Sequence, residues 1–404
     1  MGNSPVLLPA LRSLFTDADV TALVELRRDL HQHPELSWKE QRTAARLAEV
    51  ITALGAESVT RVAGTGVVAR FAGRDRSAPT VAVRGDIDAL PIEEATGLAF
   101  TSTSPGVMHA CGHDIHSTWA IGAALLLARN PAPGDVLVVL QPAEELGEGA
   151  KAILDTGALD DVKAIFGGHV DRRFAVGQIV ADEGPLAASA DSFEIELIGK
   201  GAHGARPHES ADPIVGAAAL ISALQTIVAR RIDPAAAAVV TVGSIHSGTA
   251  SNIIPERAVL TGTLRATTPE TRAAIGNEVR RIAESVAEAY RLTARATVHL
   301  GTPPIVNPPR ASQWARQAAA AVLGNAAVVP FGITNMGGED FAFYLERIPG
   351  CFMRVGAREE GGERLAAHSP RFTAAEESIF VGAAVLAESA RVASATLQAE
   401  RGGA

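Results

Sequence analysis

Residues 80–92 read TVAVRGDIDALPI, and residues 135–149 read DVLVVLQPAEELGEG. Each opens with a run of aliphatic and β-branched residues and no interior Pro, the mark of a strand buried on both faces. Each run ends on two acids: Asp86 and Asp88 after the first, Glu144 and Glu145 after the second. Between them lies a long apolar helix candidate, Ile115 to Arg129. TGVVARFAG (65–73) and VKAIFGGHV (162–170) supply two more strand candidates, the second with His169 after AIFGG. Strands alternating with helices predict an α/β domain with a mainly parallel sheet. In open parallel sheets ligands bind beyond the carboxyl ends of the strands. The four acids, His169, and the Cys111/His113 pair just before the helix therefore converge on one sheet edge.

Upstream, Asp19 to Leu54 reads as a helix pair or one broken helix, interrupted by Pro34 and closed by Gly55. Downstream the rhythm changes at Gly184-Pro185. SFEIELIGKG, a helix over Asp212 to Arg231, AAVVTVGSIHSG, RAVLTGTLRA, a helix over Pro269 to Tyr290 and ARATVHLG then follow. That is strand–helix–strand–strand–helix–strand, the ferredoxin-like order. PPIVNPP closes the block, and an α/β pattern resumes: helix from Ser312 to Leu323, strand GCFMRVGA, helix from Thr373 to Leu397, then a frayed ERGGA tail. The reading is a catalytic domain over 1–186 and 300–404, with an α+β domain inserted at 187–299.

The chain has 404 residues, 47% of them hydrophobic and 20% charged, which suits two domains with sizeable cores. A net charge of -9 without basic runs excludes a nucleic-acid binder. Two unlike, distant cysteines, Cys111 and Cys351, make no disulfide framework. No unbroken apolar run suggests a membrane span, and the first residues lack a charged leader with a long apolar core. Met1-Gly2 begins like a myristoylation signal, but Val6 stands where Ser or Thr is wanted. A cytoplasmic setting is expected.

Thiol, imidazole and carboxylate together suit borderline divalent metals. Gly112 lets Cys111 and His113 approach one point, while Asp114 reads both as an N-cap of the following helix and as a supporting group behind the ligands. Of Glu144 and Glu145, one can ligate metal while the other acts as acid and base; the residues alone do not say which. An isolated glutamate pair is more often a solvated loop. Of Asp86 and Asp88, one need face the metals, the other holding a histidine in its tautomer.

Ten strings in order then resemble one family: RRDLHQHPELSWKE, RGDIDALPI, MHACGHDIH, QPAEELGEG, GGHVD, GKGAHGARPHESADPI, GTASNIIPE, GTLRA, MGGEDFAFY and AHSPRF. The chain resembles the aminoacylase, hippurate hydrolase and indole-acetyl-amino-acid hydrolase branch of the di-metal metallopeptidases. The resemblance implies two divalent ions per subunit (zinc, manganese, nickel or cobalt), held by Cys111, His113, Glu145, His169 and His368. It implies Glu144 as general base and Asp88 as the acid that orients a metal-bound ligand. It implies that the middle block is a lid and dimerisation domain, making a homodimer. There His203 would reach an active site, in this family often that of the partner subunit, and steady the oxyanion, and Asn252 and Arg265 would contact substrate. His31 and His33 match a helix without a catalytic role, and His116 reads as a hydrogen-bonding support. Asp86 stands where carboxypeptidase-type relatives have His, which places the chain in the cysteine-containing branch. Phe174-Ala175 and Ala366-Ala367 are less typical.

The expected activity is cleavage of an N-acyl amino acid to a carboxylic acid and an amino acid. A dipeptidase or a diaminopimelate-pathway deacetylase is the near alternative. A cysteine-nucleophile hydrolase using Cys111 and a non-catalytic metal-dependent binding protein are alternatives of other kinds.

Overall fold

The computed structural model describes residues 5–402, so the Met1-Gly2 start and Gly403-Ala404 of the expected tail lie outside the described residues. The chain divides into two compact units. The first runs up to Gly184 and resumes over Asn307–Gly332 and Phe343–Ala404; the second comprises Pro185–Val306 and Ile333–Ala342.

The first unit is built on β3 (Thr80–Asp86) and β4 (Val136–Gln141), the two strands that end on acids, both buried along their whole length. They join β1 (Ser58–Val62), β2 (Gly66–Phe71), β5 (Val162–Ala175), β6 (Ile179–Val180) and β7 (Gly350–Arg358) in one sheet of order β1-β2-β4-β3-β5-β7-β6. The four central strands are parallel to their neighbours, while β1, β2 and β6 pair antiparallel. The sheet is thus mixed and mainly parallel. β4 lies on one side of β3 and β5 on the other, so the chain reverses direction across the sheet at β3. That reversal opens a crevice at the carboxyl end of β3, where ligands bind in such folds.

The helix pair is α1 (Asp17–Gln32) and α2 (Gln41–Ala53). α1 starts on a capping box, Thr16 accepting from the Asp19 amide and Asp19 from the Thr16 amide. α3 (His113–Arg129) and α6 (Glu377–Gly402), with α4 (Gly149–Asp155) and α5 (Pro309–Leu323) between them in sequence, pack on the sheet, and α3 and α6 pack on each other, around Trp119, Phe166 and Phe380. Each such fully buried aromatic or branched side chain contributes roughly 1.5–3 kcal/mol relative to exposure. By length and composition alone α6 and residues 213–230 could cross a membrane, but α6 is the core helix of this unit. It runs on to Gly402, so Glu400–Gly402 of the expected tail are helical.

Two local expectations are corrected. β5 does not stop before His169 but continues to Ala175, because β7 pairs with it from Ile165 onward, with Arg354 opposite His169. Asp114 caps nothing: Gly112 is the N-cap of α3, and the Asp114 carboxylate is bound to Arg27 and His31 of α1 at 2.8 Å each.

In the second unit, Ala190–Ile198, Ala238–Ser247, Arg257–Ala266 and Thr293–Thr302 form one antiparallel sheet. Numbered by appearance its order is 2-3-1-4, the ferredoxin-like arrangement. Pro213–Leu224 and Pro269–Ala289 pack on it through Leu220, Leu224, Ile275 and Val279. The expected helix over 212–231 breaks at Gln225 into Pro213–Leu224 and Thr226–Arg230. The unit is larger than the 187–299 block read from the sequence. Its last long strand reaches Thr302, and the segment 333–342 belongs to it, the Ala188 amide donating to Gly337 O at 3.1 Å.

Candidate metal centre

The site forms where β3, β4 and β5 deliver their acids and histidine to the start of α3. Asp86 closes β3, and Ile87 sends Asp88 onward; both carboxylates are buried. The Ala143–Glu145 turn follows β4, with Ala143 in the left-handed region at φ 49°. A non-glycine residue held there costs about 1–3 kcal/mol and needs fixing by its surroundings. Gly112, at φ 87°, links Cys111 to His113; a Cβ there would sit 2.6 Å from Val170 Cγ2, so no larger residue fits.

Two histidines have their tautomers set by backbone. His113 Nδ1 lies 2.9 Å from Asp88 O and 3.2 Å from Asp88 Oδ1. A carbonyl only accepts, so Nδ1 carries the hydrogen and Nε2 presents its lone pair. His169 Nδ1 likewise donates to Val170 O at 2.7 Å, which leaves Nε2 facing Cys111 Sγ at 3.1 Å. His113 Nε2 and Glu145 Oε1 are buried and without hydrogen-bond partners. Native proteins leave few such groups unmatched, and a cation satisfies both.

The ligand atoms of Cys111, His113 and His169 lie within 4.8 Å of one another, as do those of Cys111, Glu145 and His368, and those of His113, Glu144 and Glu145. Cys111 belongs to two of these groups, and so do His113 and Glu145. Overlapping donor sets of this kind fit two neighbouring ions. Asp86, His113 and His116 also cluster, but that set is already spent. His116 Nδ1 donates to Asp86 Oδ1 at 2.7 Å, and its Nε2 accepts the Val170 amide at 2.9 Å. The other Asp86 oxygen takes Arg84.

The electrostatics agree. Burial alone would raise the Asp86 carboxyl, but Arg84, His113 and His116 hold it well below the usual carboxylate range. Burial pushes the Cys111 thiol up, and Glu145 and Glu144 push it further. A nucleophilic cysteine needs the reverse, which speaks against the cysteine-hydrolase alternative. Burial keeps His169 uncharged, well below its ordinary value. Burial opposes a charge on His113 too, yet Asp86 and Asp88 raise it well above the ordinary range. The pocket as a whole calls for positive charge.

The remaining expected residues fall as follows. Glu144 Oε2 and Glu145 Oε1 each lie 3.8 Å from His113 Nε2, and the Glu145 amide donates to Asp88 Oδ2 at 3.0 Å. His368, at φ 65°, puts Nε2 3.4 Å from Glu145 Oε2, which raises its pKa. His203 and Asn252 lie together in the second unit, where the Gly204 amide donates to Asn252 O at 2.8 Å and His203 pairs with Ile253; both are exposed. Arg265 stands apart from them, with Nη1 donating to Leu264 O at 2.9 Å and to Thr263.

Supporting residues were missed in the sequence. Arg84 offered a signal, a lone charge inside an apolar strand. Glu40 offered none. It is fully buried, accepting from Thr65 Oγ1 at 2.7 Å and from the Ala143 amide at 2.9 Å. It thereby holds the strained residue from which both glutamates project. Glu40→Ala is expected to lower kcat far more than it changes KM, leaving a buried amide unsatisfied at roughly 1–3 kcal/mol. Glu40→Gln should restore most of the rate, since its carbonyl can serve Ala143 while Thr65 turns to accept. Equal losses in both variants on steady-state kinetics would contradict this.

A buried thiol–imidazole–carboxylate cluster at the reversal point of a mainly parallel sheet defines the class: an α/β protein with a candidate centre for divalent metal. The model for Peptidase family M20/M25/M40 matches residues 82–391. N-acetyl-L-cysteine deacetylase of Bacillus subtilis (strain 168) is 41% identical over 372 residues, 91% of this chain and 87% of that one. A second protein of that strain, N-acetylcysteine deacetylase, is 41% identical over 385 residues, 94% of this chain and 98% of its own. The crystal structure of the Bacillus subtilis YXEP protein, a dinuclear metal binding peptidase from the M20 family, superposes with TM-score 0.83 at 38% identity, covering 93% and 98% of the two chains. The chain belongs to peptidase family M20/M25/M40 and is a metal-dependent amidohydrolase.

Proposed function

We propose that this amidohydrolase removes the acyl group, acetyl foremost, from the nitrogen of an N-acylated amino acid. The observation that carries the reading is the pair of orphaned buried atoms, His113 Nε2 and Glu145 Oε1, within overlapping donor groups. Substrate class is supported by the two deacetylases at 41% identity.

Cys111, His113, Glu145, His169 and His368 would hold two divalent cations, among which zinc, manganese, nickel and cobalt suit a thiolate–imidazole–carboxylate set. Bound there, such ions polarise an amide carbonyl and lower the pKa of water. Asp88 keeps the His113 ring in its Nε2-presenting tautomer. Glu144 takes a proton as water attacks the amide carbon, and returns it to the leaving nitrogen. An amine leaves poorly unprotonated, so one carboxylate serves as base and then as acid. His203 donates to the developing oxyanion. Arg265 or Asn252 holds the amino acid carboxylate. The second unit brings two copies together as a homodimer, in a cytoplasmic setting.

The test is metal content and hydrolysis of a mixed panel of N-acyl amino acids and dipeptides, on one sample before and after chelation. About two equivalents of metal are expected, with activity lost on chelation and regained with a divalent ion. Turnover indifferent to chelator would reject the metal mechanism. Cleavage of dipeptides alone would reject the substrate class.

A further inference from the structure

His368 is the one proposed ligand carried by a long irregular segment. Between the end of β7 and the start of α6 the chain forms neither helix nor strand. His368 itself sits in a left-handed conformation at φ 65°. Its amide donates to Ala110 O at 2.8 Å, which ties the tip of the segment beside Cys111. Something must also fix the base.

That group is Arg172, three residues beyond His169 on β5 and 3% exposed. Its Nε donates to Glu363 O at 3.0 Å, and Nη2 to the same carbonyl at 2.8 Å. Nη1 and Nη2 grip the Glu359 carboxylate at 2.7 and 2.9 Å. Nη1 also reaches Thr373 O at 3.0 Å and Ala357 O at 3.4 Å. The guanidinium thus binds both ends of the segment, residues 357–363 and 373, and spends all five of its hydrogens doing so. Lysine, with three donors on a point charge, cannot reproduce this.

We propose that Arg172 is a positioning residue for metal binding: by clamping both ends of the 359–373 segment it presents His368 to the ion pair. The inference rests on the reading of His368 as a ligand. An irregular segment of this length would otherwise sample many conformations, and holding His368 in place would cost affinity at each binding event.

The test is equilibrium titration of chelator-treated protein with zinc or manganese, beside hydrogen exchange over residues 359–373, for wild type, Arg172→Lys and His368→Ala. Arg172→Lys is expected to weaken the weaker of the two binding events by about 10–100-fold, the range for outer partners of metal ligands. Exchange in the segment should rise, while the tighter event stays near wild type. His368→Ala should lose the same event without the rise across 359–373. If His368→Ala weakens binding but Arg172→Lys does not, the clamp is wrong and the ligand reading stands. If His368→Ala binds both ions like wild type, the ligand reading falls and the inference with it. Should Arg172→Lys fail to fold, Glu359→Gln removes the ion pair from its exposed side. It should shift affinity and exchange in the same direction by less, and no shift in either would overturn the proposal.

Discussion

Glu144→Gln is expected to lower kcat by about 10²–10⁴-fold with the metal content of the wild type intact. The argument is one of division of labour between two adjacent carboxylates. Glu145 lies within reach of Cys111 and His368 and leaves Oε1 buried and unmatched. Its amide is fixed on Asp88, so its direction is set by the same acid that sets the His113 ring. Glu144 enters only the group with His113 and Glu145 among the first unit's donors. A glutamine at 144 keeps size and hydrogen bonding but cannot carry a proton between water and the leaving nitrogen. Glu145→Gln, by contrast, should lose metal and rate together. Metal analysis with kcat on both variants separates the roles. A Glu144→Gln enzyme near full activity places the base elsewhere; one that sheds metal exchanges the two assignments.

Why the sequence could name the pair but not tell its members apart is a matter of backbone. Strand runs ending in acids are legible, because burial on both faces demands unbroken apolar residues and the charges can only fall at the ends. The order of β3, helix and β4 also follows from that alternation. The two glutamates differ in their surroundings, Glu145 near Cys111 and His368, and the turn that carries them, with Ala143 at φ 49° fixed by Glu40 at the start of α2, is encoded by nothing local. Asp114 shows the same limit. Beside an apolar helix it reads as a cap, yet its partners are Arg27 and His31 on α1, which only the packing of α1 on α3 supplies. His31, matched to a helix without a catalytic role, is buried against Asp114 and Glu94. His368 lies in an irregular segment, and only the family resemblance singled it out. The 333–342 segment groups with the second unit through a non-local pairing with Ala188, which no local pattern announces.

Cys111→Ala carries the other large expectation: loss of both ions' tight binding, not of one. Cys111 is shared between the group containing His169 and the group containing Glu145 and His368. Removing Sγ takes a donor from each. The affinity loss should therefore exceed the roughly 10–100-fold typical of outer partners. Ions that bind only the folded chain stabilise it by about 2.7 kcal/mol at a hundred times Kd, so added metal should raise the wild-type Tm but scarcely move that of the variant. Folding is not at issue, since alanine fits a buried site and Gly112 keeps its turn; Tm in chelator should match the wild type closely. The same variant tests the nucleophile alternative. Burial and the flanking glutamates hold the thiol protonated unless a cation draws the proton off. An inactive variant that still binds two ions would make the sulfur a nucleophile after all. An active one would leave His113, Glu145, His169 and His368 as a sufficient set, and the thiol a bystander between them.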